Sequence, residues 1–313
     1  MQNNASKGSS VIFIGRNKRD ILSAENIHKP LVSFIIPILN AEKTLKECLD
    51  SILSQNYPNI EIILVGNGSI DDTYEIAKFY ERKYGEIVKV FRKIGPLGNV
   101  RTYGIEKSSG ELIALWDSDL YIPHTHWLIK AVANFNSFPE ASTLWIRTTP
   151  PNNSGLVAYA YDWISWTIML GFAKKGIGFW GGGCSIFRRE AIKSVGGITR
   201  DIDTGEDYDL ARKLAMKGHS IVFYDDPVYH DSHKTLSEII KKDLRRSKNF
   251  KRIGLSTITG ISFKKLLFSY IKVGIFISIK NLFMMKKPFF GVVPIIVLLR
   301  FLTYFLMYVL YYE

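Results

Sequence analysis

Apolar and polar positions switch between two rhythms along the first 120 residues. Residues 31–38 (LVSFIIPI) form a nearly continuous apolar run, the pattern of a strand buried on both faces. Residues 41–55 (AEKTLKECLDSILSQ) change period, and Leu45, Leu49, Ile52 and Leu53 fall on one helical stripe. Residues 59–66 (NIEIILVG) predict a second buried strand. Residues 69–85 open with Ser69, Asp71 and Asp72, a helix-start signature, and continue as helix. A third strand is predicted at 87–93. A helix follows over 98–110, ended by Gly110, and a fourth strand (ELIALWD) over 111–117. The repeat of strand and helix predicts an α/β fold: a mostly parallel, doubly wound sheet with right-handed crossovers. Residues 1–30 read as a loosely ordered lead-in.

The fourth strand ends in Asp117, Ser118 and Asp119. Ligands of doubly wound sheets gather beyond the carboxyl ends of the strands. Side chains two apart on a strand point the same way, so two carboxylates meet there. They repel unless a cation sits near them. Mg²⁺ or Mn²⁺ suits such a pair, since a hard cation takes one or two carboxylates and fills its shell from phosphate and water. A solvated turn or an aspartate helix cap explains the same spacing without a metal.

Further along, residues 157–180 are apolar and aromatic, with Tyr159, Tyr161, Trp163, Trp166 and Trp180. Aromatic rings stack on sugars, but a core helix accounts for most of them. Residues 204–218 read as an amphipathic helix, with Leu210, Leu214 and Ala215 facing inward. Its early acids suit the helix dipole. The last quarter differs from the rest. Residues 234–252 place apolar and basic residues at helical spacing, and residues 263–283 are apolar on most sides. Lys265, Lys272 and Lys280 share one face there, where their stems reach toward headgroups. Residues 288–312 carry a single charge, Arg300, and a kink-permitting Pro294. About 20 apolar residues span a bilayer, and a central arginine costs roughly 2.5 kcal/mol or more. The segment either spans or forms a hairpin dipping into one leaflet. A wholly soluble helical subdomain is the competing reading.

Charge sharpens this division. The 313 residues hold 41 Lys/Arg and 29 Asp/Glu, a formal net charge of +12. Residues 234–313 hold 15 basic and 3 acidic residues, leaving 26 of each in residues 1–233. A basic, apolar tail on a neutral body suits anionic lipid better than nucleic acid. The excess of basic residues beside the apolar segment favours a cytoplasmic face of the cell membrane. Cys48 and Cys184 are too few for a disulfide framework or a zinc site and read as buried thiols. No signal peptide is visible in the first 20 residues.

Four stretches then carry a resemblance when taken in order. They are VSFIIPILNAEKTLKECLDSILSQNYPNIEIILVGNGSIDDT, GNVRTYGIEKSSGELIALWDSD, FRREAIKSVGGI and GEDYDLARKLAMKGHSIVFYDDPVYH. Together they resemble glycosyltransferase family 2, inverting nucleotide-sugar enzymes of the GT-A fold, over roughly residues 31–235. The resemblance implies a Rossmann-like catalytic domain over 31–235, and the basic, apolar tail reads as membrane-associated helices over 236–313. Pro37, Leu39, Asn40 and Ala41 match the loop that borders the nucleotide. Asp117 and Asp119 match the metal motif, with Asp119 the favoured direct ligand. Arg101 either faces the diphosphate or holds a buried ion pair beside the site. Gly182 and Gly183 match glycines lining the donor sugar, where the backbone approaches a ligand. Glu206 and Asp207 match the acidic pair that supplies the base, with Asp207 preferred. His230 either approaches the metal or diphosphate or is a structural histidine. One departure stands out. The family's usual adjacent acids after the second strand are replaced by Gly66 and Asn67, so recognition of the base or ribose changes. Leu120 also replaces a frequent third acid.

The implied reaction is a single displacement at the anomeric carbon. It needs a base for the acceptor hydroxyl and a cation near the leaving diphosphate. The implied partners are a nucleotide-sugar donor and a glycan or polyprenyl-type lipid-linked acceptor, with the membrane engaged through the tail. Two alternatives stay open. A nucleotidyltransferase would carry a glycine-rich basic loop after the first strand, which PILNAEKTL lacks. A binding module without turnover is suggested by the lost acids at 66 and 67.

Overall fold

The computed structural model describes residues 11–14, 28–173, 183–231, 235–253, 268–269, 271–285 and 287–311. Its centre is a mixed nine-stranded sheet. Strand β2 (Val32–Ile38) lies between β3 (Ile60–Gly66) and β5 (Leu112–Trp116), parallel to both, and β4 (Val88–Arg92) extends the sheet beside β3. Beyond β5, β8 (Cys184–Arg188) runs antiparallel, followed by β7 (Ala141–Thr149), β9 (Ser220–His230) and β1 (Val11–Ile14). A two-residue strand, β6 (Leu120–Tyr121), pairs antiparallel with the end of β9.

The apolar runs are explained by two helical layers. On one face Phe34, Ile36, Ile62, Leu64, Ala114 and Trp116 pack under α1 (Leu45–Leu53), α2 (Thr73–Lys83) and α4 (Trp127–Asn136). On the other face the alternate residues Ile35, Ile63, Val65, Ile113 and Leu115 pack under α3 (Leu97–Glu106), α6 (Arg189–Ser194) and α7 (Glu206–Met216). Both pleat faces are therefore buried, which removes the period-two alternation from the sequence.

Several boundaries differ from those predicted. The helix expected over 98–110 ends at Glu106, and Gly110 does not stop it. Gly110 instead packs on β2, where an added Cβ would lie 2.4 Å from Ser33 Oγ and 2.5 Å from the Leu31 carbonyl. Helix α2 starts four residues later than Ser69. The Ser69 hydroxyl is taken by the Asn40 amide, and Asp71 accepts from the Thr73 amide and hydroxyl. Within the supposed lead-in, β1 is an edge strand parallel to β9. On α7 the buried apolar residues are Leu210, Ala211 and Leu214, so Ala211 takes the place expected for Ala215.

The aromatic stretch after β7 is one helix, α5 (Leu156–Ala173). Trp166 packs against Trp145 at 5.0 Å and Phe223 at 5.7 Å, as a core residue. The other side of α5 meets α8 (Leu236–Ile253) and, after α9 (Ser278–Met285), α10 (Val293–Tyr311). Ala160, Ile164, Ile239, Phe290, Val293 and Ile296 form a third cluster there. Arg300, the lone charge of that segment, is buried on α10. It reaches Asp243 of α8 at 2.8 Å and donates from Nη2 at 3.0 Å. Among the described residues no helix is long and apolar enough to cross a membrane. Large apolar side chains are nevertheless exposed on the outer side: Phe268, Phe276 and Phe283, and Ile295, Leu298 and Leu302 on α10. Lys265 and Trp180 lie outside the described residues.

Candidate active site

The carboxyl ends of β2, β3 and β5 open into a cavity of about 820 Å³, closed on the far side by α5, α7 and α8. Pro37, Leu39, Asn40 and Asn67 border one end of it. Asn40 holds a left-handed backbone (φ 49°), a conformation asparagine tolerates better than most residues. Its Oδ1 accepts from the Ile70 amide at 3.0 Å, and its own amide donates to Ser69. The two loops are thus laced together. Asn67 is used similarly. Its Nδ2 donates to the Gly95 carbonyl at 3.1 Å and its Oδ1 accepts from the Gly95 amide at 3.0 Å. This side chain anchors the loop after β4 while lining the cavity. With Gly66 beside it, this corner offers no carboxylate at 66 or 67.

Three strands meet at the acidic corner. β5 delivers Asp117. The turn into β6 delivers Asp119, whose carbonyl accepts from the Asp231 amide at 2.9 Å. Pairing of Leu120 with His230 then fixes His230 beside it. One ligand atom each from Asp117, Asp119 and His230 lie within 4.8 Å of one another. His230 Nε2 is 3.3 Å from Asp119 Oδ2. Burial alone would raise the Asp119 carboxyl. The His230 ring outweighs it, with Lys242 assisting, and the pKa is lowered. Burial alone would lower His230, but the Asp119 carboxylate raises it. Two carboxylates and one imidazole fit a divalent cation of the Mg²⁺ or Mn²⁺ kind. The floor beneath is tightly built. The Asp117 amide donates to the Gly183 carbonyl at 2.9 Å, and a Cβ at Gly183 would lie 2.0 Å from Asp117 Oδ1. Only glycine fits under that carboxylate. Gly182 lies outside the described residues.

Arg101 is almost wholly buried in the cavity wall. Its Nη2 donates to Asp117 Oδ1 at 2.6 Å, and its Nε lies 3.3 Å from Glu206 Oε1. Of the two roles open for this arginine, the ion pair is the one present in the structure. It ties α3 to β5 and to α7, and it orients Asp117.

Helix α7 begins after Gly205, whose φ of 93° reverses the chain. Glu206 and Asp207 follow in the first turn and differ in surroundings. Glu206 is buried (2 % exposed) against Arg101. Burial, with Asp207 adding to it, pushes its carboxyl up to about 8 against the pull of Arg101. Asp207 is half-buried, and both acids line the cavity. Of the two, Asp207 is the more exposed.

Reading the sequence missed two residues of the wall, Asp162 of α5 and Lys242 of α8. Tyr161 and Trp166, for which sugar stacking was the lesser alternative, line the cavity too, as does Arg300 of α10. Burial pushes Asp162 up to about 7, against opposing contributions from His230 and Arg147. A single acid within YAYDWISW was the available signal for Asp162. Lys242 had none, lying among many lysines. Cys48 and Cys184 are free and buried as expected, and burial raises both thiols.

Comparison with known proteins agrees with this arrangement. Residues 33–196 match the profile of Glycosyl transferase family 2. Glycosyltransferase AglE of Haloferax volcanii is 30 % identical over 228 residues, spanning 70 % of this chain and 72 % of that protein. An uncharacterized glycosyltransferase of Bacillus subtilis, EpsJ, is 40 % identical over 93 residues, and the match spans 27 % of its length. Among solved structures, mannosyltransferase PcManGT from Pyrobaculum calidifontis, in complex with GDP-Man and Mn²⁺, superposes with a TM-score of 0.58. The sequences are 18 % identical, with 85 % of this chain and 74 % of that chain covered. S. aureus TarS 1-349 in complex with UDP gives a TM-score of 0.51 at 18 % identity, covering 88 % and 90 %. The sheet with its mixed outer half is the GT-A arrangement of these structures, and the chain belongs to glycosyl transferase family 2.

Proposed function

We propose that this protein is an inverting glycosyltransferase that moves a sugar from a nucleotide-sugar donor to a glycan or lipid-linked acceptor at the cytoplasmic face of a membrane. The observation that carries the reading is the convergence of Asp117, Asp119 and His230 within 4.8 Å, in a cavity that also holds Asp207. Asp117, Asp119 and His230 would hold a divalent cation, which when bound supplies positive charge to the departing diphosphate. Asp207 accepts the proton of the acceptor hydroxyl as the hydroxyl oxygen forms its bond to the anomeric carbon. The bond from that carbon to the diphosphate oxygen breaks on the opposite side. Arg101 keeps Asp117 turned to the cavity, and Glu206 holds Arg101. A single base, with no second carboxylate assigned as nucleophile, favours inversion. The relatives support the donor class: PcManGT is in complex with GDP-Man, and a TarS structure is in complex with UDP-GlcNAc.

The membrane part rests on the outer surface of the C-terminal helices. Ile295, Leu298 and Leu302 recur at helical spacing on α10 and are exposed, and Lys280 and Lys287, earlier in the same C-terminal segment, are exposed as well. Exposed apolar rows of this kind in a lysine-bearing segment suit the headgroup layer of an anionic bilayer. The test of the chemistry is the anomeric configuration of the product by NMR. Inversion relative to the donor is expected; retention would overturn the single-displacement mechanism.

A further inference from the structure

The C-terminal helices do more than cover α5, because α8 brings a cation into the catalytic cavity. Asp243 of α8 is fully buried and bound to Arg300 of α10. That pair fixes the rotation of α8. Lys242, one residue earlier and therefore about 100° around the helix, lines the cavity with Asp119 and His230. Its Nζ stands 6.0 Å from the centre of the Tyr161 ring, and Arg300 Cζ stands 4.9 Å from the same ring. The ammonium charge is felt at both Asp119 and His230.

Charge balance gives this placement a purpose. A diphosphate and two carboxylates meet at the corner, more negative charge than one divalent cation offsets. Arg101 and Arg300 also line the cavity, in ion pairs with Asp117, Glu206 and Asp243, and Lys242 brings a further positive charge to its wall. We propose that Lys242 binds a phosphate group in the cavity, so that the C-terminal helices complete the active site. The inference rests on the transferase reading and adds a binding residue outside the stretch that matches the family profile, residues 33–196. Two ligands carry the required chemistry: the donor's own diphosphate and a phosphate-bearing lipid acceptor. The position beside Asp119 and His230 favours the donor.

The experiment uses the full chain and titrates UDP and GDP with Mn²⁺, and separately a polyprenyl phosphate in detergent micelles, against wild type, Lys242→Gln and Lys242→Arg. Loss of one charge-assisted hydrogen bond corresponds to about 10- to 100-fold weaker binding. That loss for a nucleoside diphosphate in Lys242→Gln, with recovery in Lys242→Arg and an unchanged thermal midpoint, supports the donor source. The same pattern confined to the polyprenyl phosphate supports the acceptor source. Wild-type binding that Lys242→Gln leaves unchanged for every probe overturns the inference alone. A folded wild type that binds none of them overturns the transferase reading and the inference with it.

Discussion

Asp207 and Glu206 are neighbours in sequence with unlike surroundings. Both line the cavity, but Glu206 is buried against Arg101, whereas Asp207 is half-buried. Asp207→Asn is therefore expected to lower kcat by about 10²- to 10⁴-fold, the usual contribution of a general base, while donor affinity stays near wild type. Steady-state rates beside equilibrium binding would check this, and a variant that retains full turnover would remove Asp207 from the role. Gly183 sets a second constraint. An alanine Cβ there would lie 2.0 Å from Asp117 Oδ1, so Asp117 has to leave its place. Gly183→Ala should lose metal-dependent donor binding and cost roughly 1–3 kcal/mol of stability from overpacking. Chemical denaturation together with binding separates the two effects.

At the level of elements, one buried carboxylate joins three of them. Glu61 on β3 accepts from Ser33 Oγ of β2 at 2.6 Å and from the amides of Ser109 and Gly110, at 2.5 and 3.0 Å, in the turn before β5. Burial would raise its pKa, but these donors outweigh it and hold it below the ordinary value. A depressed carboxyl stabilises the fold above its unfolded pKa, and that stability is lost as pH falls through the folded one. Glu61→Gln should cost about 1.5–3 kcal/mol at neutral pH, with the gap to wild type closing below the carboxylate range. Denaturant unfolding at pH 7 and in acid measures it; a gap independent of pH would contradict the assignment. The central strands were legible because doubly buried parallel strands leave long apolar runs. Helix ends were less so. Ser69 and Gly110 are spent on contacts with residues 29 and 77 positions away, which no local pattern records. The Asp117 and Asp119 pair was visible from spacing, and the family motifs marked His230 and Asp207. The bonds of Asn67 to Gly95 were not legible, because that partner lies in another loop. Arg300 looked like a cost within an apolar segment. Its partner Asp243 lies 57 residues earlier, on a helix of mixed apolar and basic residues.

For the whole molecule, the division seen in charge reappears in space. The neutral body carries the acidic corner, and the basic C-terminal helices pack on α5 and present apolar side chains outward. The protein should sediment with anionic vesicles and less so at high salt, where lysine attraction is screened. Phe276→Asp with Phe283→Asp should release it without loss of the folded state. Vesicle binding that ignores both salt and these substitutions would contradict the surface assigned to the membrane. The central claim is narrower, namely that Asp117, Asp119 and His230 hold a divalent cation for a nucleotide-sugar donor. Calorimetric titration of the purified chain with nucleoside diphosphates, in Mn²⁺ and in chelator, tests it most directly. The account predicts binding that needs the metal, selects one nucleotide and disappears in Asp119→Ala. Tight binding that is equal in chelator, or that survives Asp119→Ala, would contradict it.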